Sequence, residues 1–365
     1  MPMTPFPADR LFDWYDRHAR TLPWRRHWPD LAPAYHVWLS EIMLQQTTVT
    51  TVIPYFLEFV RRWPSVCDLA QASSDSVMAA WAGLGYYARA RNLHRTAQIV
   101  CTRHGGEFPD SYDDLLALPG IGPYTAGAIA AMAFGAPAVV VDGNIERVFA
   151  RFYAISTPLP AAKTQIAAAY ATQHPGTRPS DFPQALMDFA NAVCTPKSPG
   201  CTGCPMAPGC AAAHAGTPES WPVKAVKKPK PDRYGIAFVA RNHDGKAWLV
   251  TRPESGLLGG MQAFPSAGWT PADTEMDPAQ PLVSAPFAAH WRLLDGNVIH
   301  VFTHFRLTMR VAVADMDAAG MEVAAMAYLR AGDAAAAWQG VKPANLPTLM
   351  RKVWKLAEES RPISG

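Results

Sequence analysis

The sequence predicts a mainly α domain followed by a smaller α+β domain, on three observations. Apolar residues recur at helical spacing as far as about Trp221, interrupted by short Gly and Pro turns. A Pro- and Lys-rich stretch at 224–233, KAVKKPKPDR, then breaks the pattern and reads as an extended linker. Beyond it the period becomes two. Residues 234–240 and 247–252 read as strands about a turn at 242–245, 300–314 alternates again, and 346–357 reads as a closing helix. At 365 residues the chain exceeds what one core usually supports.

The helices follow in order. Residues 8–20 set Leu11, Phe12, Trp14 and Tyr15 among charges, the pattern of an amphipathic helix. Residues 35–59 read as two helices, with Pro54 near the start of the second. Residues 68–81 read as another, capped by Ser74 or Asp75, and 83–105 as a Gly turn followed by a long basic helix. Residues 144–153, 163–174 and 183–193 read as three more.

Between these lies 115–147, LLALPGIGPYTAGAIAAMAFGAPAVVVDGNIER, around which the chain is organised. It reads as helix, tight Gly-rich hairpin and second helix, then a strand-like run at 138–141 ending in Asp142. Pro119 stops the first helix, and Gly120 and Gly122 permit positive φ and close backbone approach. Tyr124 or Thr125 opens the next helix, whose free N–H groups suit a phosphate. The alternative is an ordinary αα-turn with a Gly cap.

Composition narrows the class. The chain has no apolar run of eighteen residues and no apolar signal core at its start, so a cytoplasmic chain without a membrane span is expected. Net charge is +3, which permits nucleic-acid binding without demanding it. Of six cysteines, Cys67 and Cys101 lie in apolar helical stretches and read as buried thiols. Cys194, Cys201, Cys204 and Cys210 fall within seventeen residues, spaced C-x6-C-x2-C-x5-C. Four thiolates so close suit either a cubane iron–sulfur cluster or a structural zinc.

Two carboxyl groups carry the candidate chemistry. Glu41 sits among Trp38, Ile42 and Leu44, where desolvation raises a carboxyl pKa and makes a general acid. A Glu that caps or salt-bridges near a helix start is the other reading. Asp142, before Gly143 and Asn144, suits a helix N-cap. That role is compatible with an anion that stabilises a developing cation. An acid and an anion together are the arrangement of glycosidic-bond cleavage.

SEIMLQQT at 40–47, GLGYYARARNLH at 83–94, LPGIGPYTAGAI at 118–129, VVDGNIERV at 140–148 and the four cysteines together resemble the MutY family of adenine DNA glycosylases, in the helix-hairpin-helix superfamily. The resemblance spans essentially the whole chain. It implies a mainly α helix-hairpin-helix glycosylase domain at 1–222 with a 4Fe–4S cluster loop at 194–210, a linker at 223–233 and an α+β Nudix-like 8-oxoguanine recognition domain at 234–365. The implied activity is removal of adenine mispaired with 8-oxoguanine or guanine in double-stranded DNA. The implied setting is a cytoplasmic, nucleoid-associated monomer.

Residue by residue, Glu41 matches the family's acid, which protonates adenine N7, and Asp142 the carboxylate that stabilises the sugar cation. Tyr124 matches a tyrosine beside acid and sugar, and Asn144 an active-site amide. Gln46 and Tyr86 match residues that wedge into the duplex beside the lesion. Arg89, Arg91 and His94 are candidate phosphate contacts or simply solvated charge. No lysine stands in YTAG at 124–127, where lyase-type relatives carry a Schiff-base amine, so a monofunctional enzyme is expected. Phe302, Thr303 and His304 match the family's Phe-Ser-His lesion-contacting loop, with Thr in place of Ser. The stretch 257–265, LLGGMQAFP, departs from the family's LLGGMWEFP at Gln262 and Ala263. Residues 266–281 lack the paired carboxylates that hold Mg²⁺ in Nudix hydrolases, so this domain is expected to bind without hydrolysing.

Overall fold

The computed structural model describes residues 4–361 apart from 227–228, 243, 254–255, 270–278, 319, 323–325 and 327–335. The chain forms two compact units, Met1–Val226 and Lys227–Gly365. Among the described residues no helix is long and apolar enough to cross a membrane.

The first unit is helical throughout: α1 Ala8–His18, α2 Ala34–Leu44, α3 Val49–Arg62, α4 Val66–Gln71, α5 Ser74–Trp81, α6 Ala88–Arg103, α7 Tyr112–Leu116, α8 Pro123–Phe134, α9 Gly143–Phe152, α10 Lys163–Gln173, α11 Asp181–Ala192 and α12 Ala211–His214. Its core is aromatic, with Trp38, Trp81, Phe56, Phe59, Phe149 and Phe182 fully buried or nearly so. Helices α2 and α8 are apolar on almost every side and are buried accordingly. They pack against each other, and this contact sets the floor of the site described below.

Local chemistry moves several boundaries from their expected places. The single helix expected over 68–81 is two. Ser65 and Asp68 form a reciprocal capping box that starts α4, and Ser73 accepts from the Ser76 N–H to start α5. Pro54 lies inside α3, beyond the first turn. Helix α8 opens at Pro123, with Gly122 as N-cap, because proline's fixed φ suits the first helical position. It ends at Gly135 in the left-handed conformation. Residues 138–141 pair with no strand; the run lies extended against Gly127, where an added Cβ would come within 2.2 Å of the Val139 carbonyl oxygen. Cys67 and Cys101 are not free thiols but a disulfide joining α4 to α6.

Among the described residues, the second unit holds a mixed eight-stranded sheet: β1 Asp232–Asn242, β2 Lys246–Thr251, β3 Gln262–Ala263, β4 Ser266–Ala267, β5 Arg292–Leu293, β6 Val298–Val301, β7 Arg306–Met316 and β8 Ala336–Gly340. Its spine is the parallel pair β1 and β7, in register from Asp232 opposite Arg306 to Asn242 opposite Met316. Helix α13, Thr348–Glu359, lays Leu349, Met350 and Val353 on one face of the sheet. The alternation over 300–314 resolves into two strands, because Phe302–Phe305 turns the chain with the Phe302 N–H donating to the Phe305 carbonyl.

Both ends of the expected 223–233 linker are structured. The Leu159 N–H donates to the Val223 carbonyl at 2.8 Å, and Asp232 and Arg233 already belong to β1. Lys227 and Lys228, and most of the 266–281 stretch read as lacking Mg²⁺ ligands, lie outside the described residues.

Candidate active site

A cavity of about 450 Å³ opens in the first unit, lined by Glu41, Tyr124, Asp142 and Asn144 together with Arg25, Met187 and Asn191. Glu41 reaches it from the middle of α2, one side chain on a helix otherwise packed into the core. It caps nothing and is 6% exposed. Burial pushes its carboxyl pKa up to about 7; Asp142 nearby pushes the same way, while a hydrogen bond from Tyr124 and the charge of Arg25 oppose. Tyr124, in the first turn of α8, donates its hydroxyl to that carboxyl, and burial holds its own pKa well above the usual range. Arg25 is in turn held by Asp188, whose carboxylate accepts from Arg25 Nη1 at 2.8 Å and from Arg20 Nε at 2.6 Å.

Asp142 is the N-cap of α9. Its Oδ1 accepts from the backbone N–H of Asn144 at 3.0 Å and of Ile145 at 2.8 Å. Its Oδ2 accepts from Asn144 Nδ2 at 2.8 Å. Three N–H donors and a helix N-terminus make a surrounding that suits an anion. The cavity therefore holds two carboxyl groups in opposite environments, one desolvated and one solvated by protein N–H groups.

Asn144 Oδ1 accepts from Arg147 Nη2 at 3.1 Å, and the same guanidinium donates to the carbonyls of Ala190 at 2.9 Å and Cys194 at 2.7 Å. One turn on, Arg151 donates to the carbonyls of Thr195, Pro196 and Trp221 and lies 3.3 Å from Cys194 Sγ. Cys194, Cys201, Cys204 and Cys210 line one small cavity. Among the described residues no group of three is gathered tightly enough to hold a single metal ion. The four thiols face one common space, and a set of four cysteines suits a metal centre, whether a structural zinc or a polynuclear cluster.

The residues matched to DNA contacts are found in both units, and Gln46 stands between Gln45 and Thr47, which line the cavity. Gly120 is left-handed at φ +76°, and a Cβ there would meet Asn92 Cβ at 2.8 Å, so glycine is required. Gly122 is different: its φ is −99° and a Cβ would meet open space. Gln46 and Tyr86 are exposed non-glycine residues in the left-handed conformation, at φ 59° and 50°. Arg89 is not a free phosphate contact, since its guanidinium is bonded to carbonyl groups of two loops. His94 is buried in α6. In the second unit, Thr303 and His304 sit exposed at the tip of the β6–β7 hairpin, while Phe302 stacks on buried Trp269. Gln262 donates to Gln339 Oε1 at 2.7 Å, and Ala263 is buried.

Residues 39–170 match the family described as HhH-GPD superfamily base excision DNA repair protein, and residues 236–356 match a NUDIX domain. The chain is 35% identical to the adenine DNA glycosylase of Rattus norvegicus, over 96% of this chain and 78% of that protein. This chain belongs to the adenine DNA glycosylase family. It is also 38% identical to the Homo sapiens adenine DNA glycosylase, over 82% of this chain, and spans 65% of that relative's length. A solved thermostable thymine-DNA glycosylase shares the fold over 57% of this chain and 94% of its own, at a TM-score of 0.52 and 27% identity.

Sequence reasoning brought Glu41, Tyr124, Asp142 and Asn144 to the same cavity but overlooked Arg147 and Arg151. Both are basic residues of α9, one turn apart, and both are buried. A charge spaced i, i+4 within a buried face is the signal that would have found them, since such charge needs a partner.

Proposed function

We propose that this adenine DNA glycosylase family member excises adenine opposite 8-oxoguanine or guanine in duplex DNA by hydrolysing the N-glycosidic bond. The observation that carries this reading is one cavity holding Glu41 with a raised pKa beside Asp142 with three N–H donors. Glu41, protonated near neutral pH, gives its proton to adenine N7. The C1′–N9 bond then breaks with its electron pair passing into the base. Asp142 faces the sugar cation and stabilises it. Water adds to C1′ and releases a proton, leaving an abasic site. Tyr124 fixes the Glu41 carboxyl, and Asn144 fixes Asp142.

The base must leave the stack to reach these groups, and Gln46 with Tyr86 would fill the gap. Helix α8 carries no lysine, which supports a monofunctional reaction without strand cleavage. Cys194, Cys201, Cys204 and Cys210 would hold a 4Fe–4S cluster that ties the 194–210 loop together; the chemistry at the sugar is left to the carboxyl groups. The hairpin Phe302, Thr303 and His304 would read 8-oxoguanine, acting on a chromosomal substrate in the cytoplasm.

The test is single-turnover adenine release from duplexes bearing 8-oxoguanine, guanine or thymine opposite adenine, with and without alkali. Release that is fastest opposite 8-oxoguanine, with strand breaks only after alkali, is expected. No release from any duplex, or breaks without alkali, would overturn the reading.

A further inference from the structure

Gln46 and Tyr86 occupy two separate loops, the first after α2 and the second before α6, yet both are exposed and both hold a left-handed backbone. Such a conformation is strained for a side-chain-bearing residue and persists only where its surroundings enforce it. One side chain lies behind both. Arg89 Nη1 donates to the carbonyls of Ile42 at 3.0 Å, Met43 at 2.9 Å and Gln45 at 2.6 Å. Its Nη2 donates to the carbonyls of Leu84 at 2.8 Å and Gly85 at 3.2 Å, and to Thr47 Oγ1 at 3.3 Å. The guanidinium also sits 5.3 Å from the Trp81 ring and 5.6 Å from the Tyr86 ring.

Each nitrogen takes three acceptors, and the carbonyls of the two loops fall to different nitrogens. Nη1 takes the unpaired carbonyls at the α2 C-terminus, which have no intrahelical donor. Nη2 takes the carbonyls just before Tyr86. The two residues next in sequence to bonded carbonyls, Gln46 after Gln45 and Tyr86 after Gly85, are the two that project. Trp81 Nε1 adds a second donor to Gly85 O at 3.1 Å.

We propose that Arg89 is a positioning residue that fixes the spacing of Gln46 and Tyr86, so that the two enter a duplex as one rigid wedge. This rests on the wedge reading above. A planar guanidinium serves two carbonyl sets at once, whereas a lysine ammonium is a point donor that serves one. Arg89→Lys keeps the charge and the fold but lets the loops move independently.

The experiment compares Arg89→Lys with the wild-type chain, and repeats the comparison in a Gln46→Gly, Tyr86→Gly background. Single-turnover adenine release is read at saturating enzyme on a duplex with adenine opposite 8-oxoguanine. Base unstacking is read separately, by fluorescence of 2-aminopurine in place of adenine. We expect Arg89→Lys to slow release about 10- to 100-fold in the wild-type background, as misplacement does, and to lower the fluorescence rise. In the double-glycine background the same change has little further effect. Equal losses in both backgrounds would make Arg89 merely structural, and no loss in the wild-type background would refute the proposal outright. The two readings fail separately. Wild-type release tests excision itself, while fluorescence reports Arg89's effect before any bond is broken.

Discussion

Tyr124 donates its hydroxyl to the Glu41 carboxyl across the packed pair α2 and α8. The bond joins the segment that carries the acid to the helix that follows the Gly-rich hairpin. In the proposed reaction, a nucleotide at the hairpin and a proton at Glu41 would thereby be referred to one frame.

The raised pKa of Glu41 gives a pH prediction with a definite sign. The folded value, about 7, lies above the ordinary 4.5. Its contribution to stability is therefore complete below pH 4.5 and is lost as pH rises through 7. Glu41→Gln removes that loss. We expect the variant to be more stable than wild type at pH 8 by up to roughly 3 kcal/mol, converging below pH 4.5, as read by denaturant titration. Adenine release by the wild type falls as pH rises past 7, and Glu41→Gln releases none. A pH-independent difference in stability would show that desolvation at Glu41 is not its source.

Asp142 serves as cap and as anion, and one substitution separates these roles. Asparagine caps a helix about as well as aspartate. Asp142→Asn should therefore leave the melting midpoint within a few degrees of wild type while release falls about 100- to 1,000-fold, the usual cost of lost charge stabilisation. Binding to the mispaired duplex, measured by fluorescence anisotropy, should persist. A collapse in stability would mean the cap role dominates.

The two hairpin glycines should respond differently. Gly120→Ala forces a Cβ onto a left-handed backbone and against Asn92, at a cost of about 1–3 kcal/mol. Gly122→Ala meets open space at φ −99° and should cost less than about 1 kcal/mol. Thermal melting of both variants decides; equal costs would contradict the geometry.

Arg151 satisfies carbonyls on both sides of the cysteine loop, at Thr195, Pro196 and Trp221. Arg151→Met keeps much of the volume and removes the donors. These carbonyls are half-buried or exposed, so each lost hydrogen bond costs about 0.5–1.5 kcal/mol. We expect protein purified with less iron and sulfide and weaker visible absorbance, in proportion to its loss of stability. Full iron loading would show that the loop is held by other contacts.

Much of this was legible in the chain before its fold was known. The apolar spacing of residues such as Leu11, Phe12, Trp14 and Tyr15 marks a helix because burial is periodic. The run after Tyr234 reads as a strand by its short apolar length bounded by a turn, and from Gly235 to Asn242 it is buried without alternation. What stayed hidden depended on partners far away in sequence. Residues 138–141 look like a strand because they are apolar, yet they lie against Gly127 of α8 and, among the described residues, join no sheet. Cys67 and Cys101 look like core thiols because no spacing rule joins residues 34 apart. Arg89 looks like surface charge because its acceptors, the Ile42, Met43 and Gln45 carbonyls, belong to another helix end. The caps are Ser65 and Ser73, not the expected Ser74 or Asp75, because the chain breaks between two short helices rather than running through as one.

The parallel pairing of β1 with β7 has a consequence for how the second unit comes into being. Every partner along that ladder is 74 positions away, as Asp232 is from Arg306. Long-range closure of this kind slows assembly relative to helices whose contacts are local. On the ribosome, β1 emerges long before the strand that completes it. The C-terminal sheet must wait for most of its own length to be translated, while the cavity-bearing helical unit has all of its chain in hand.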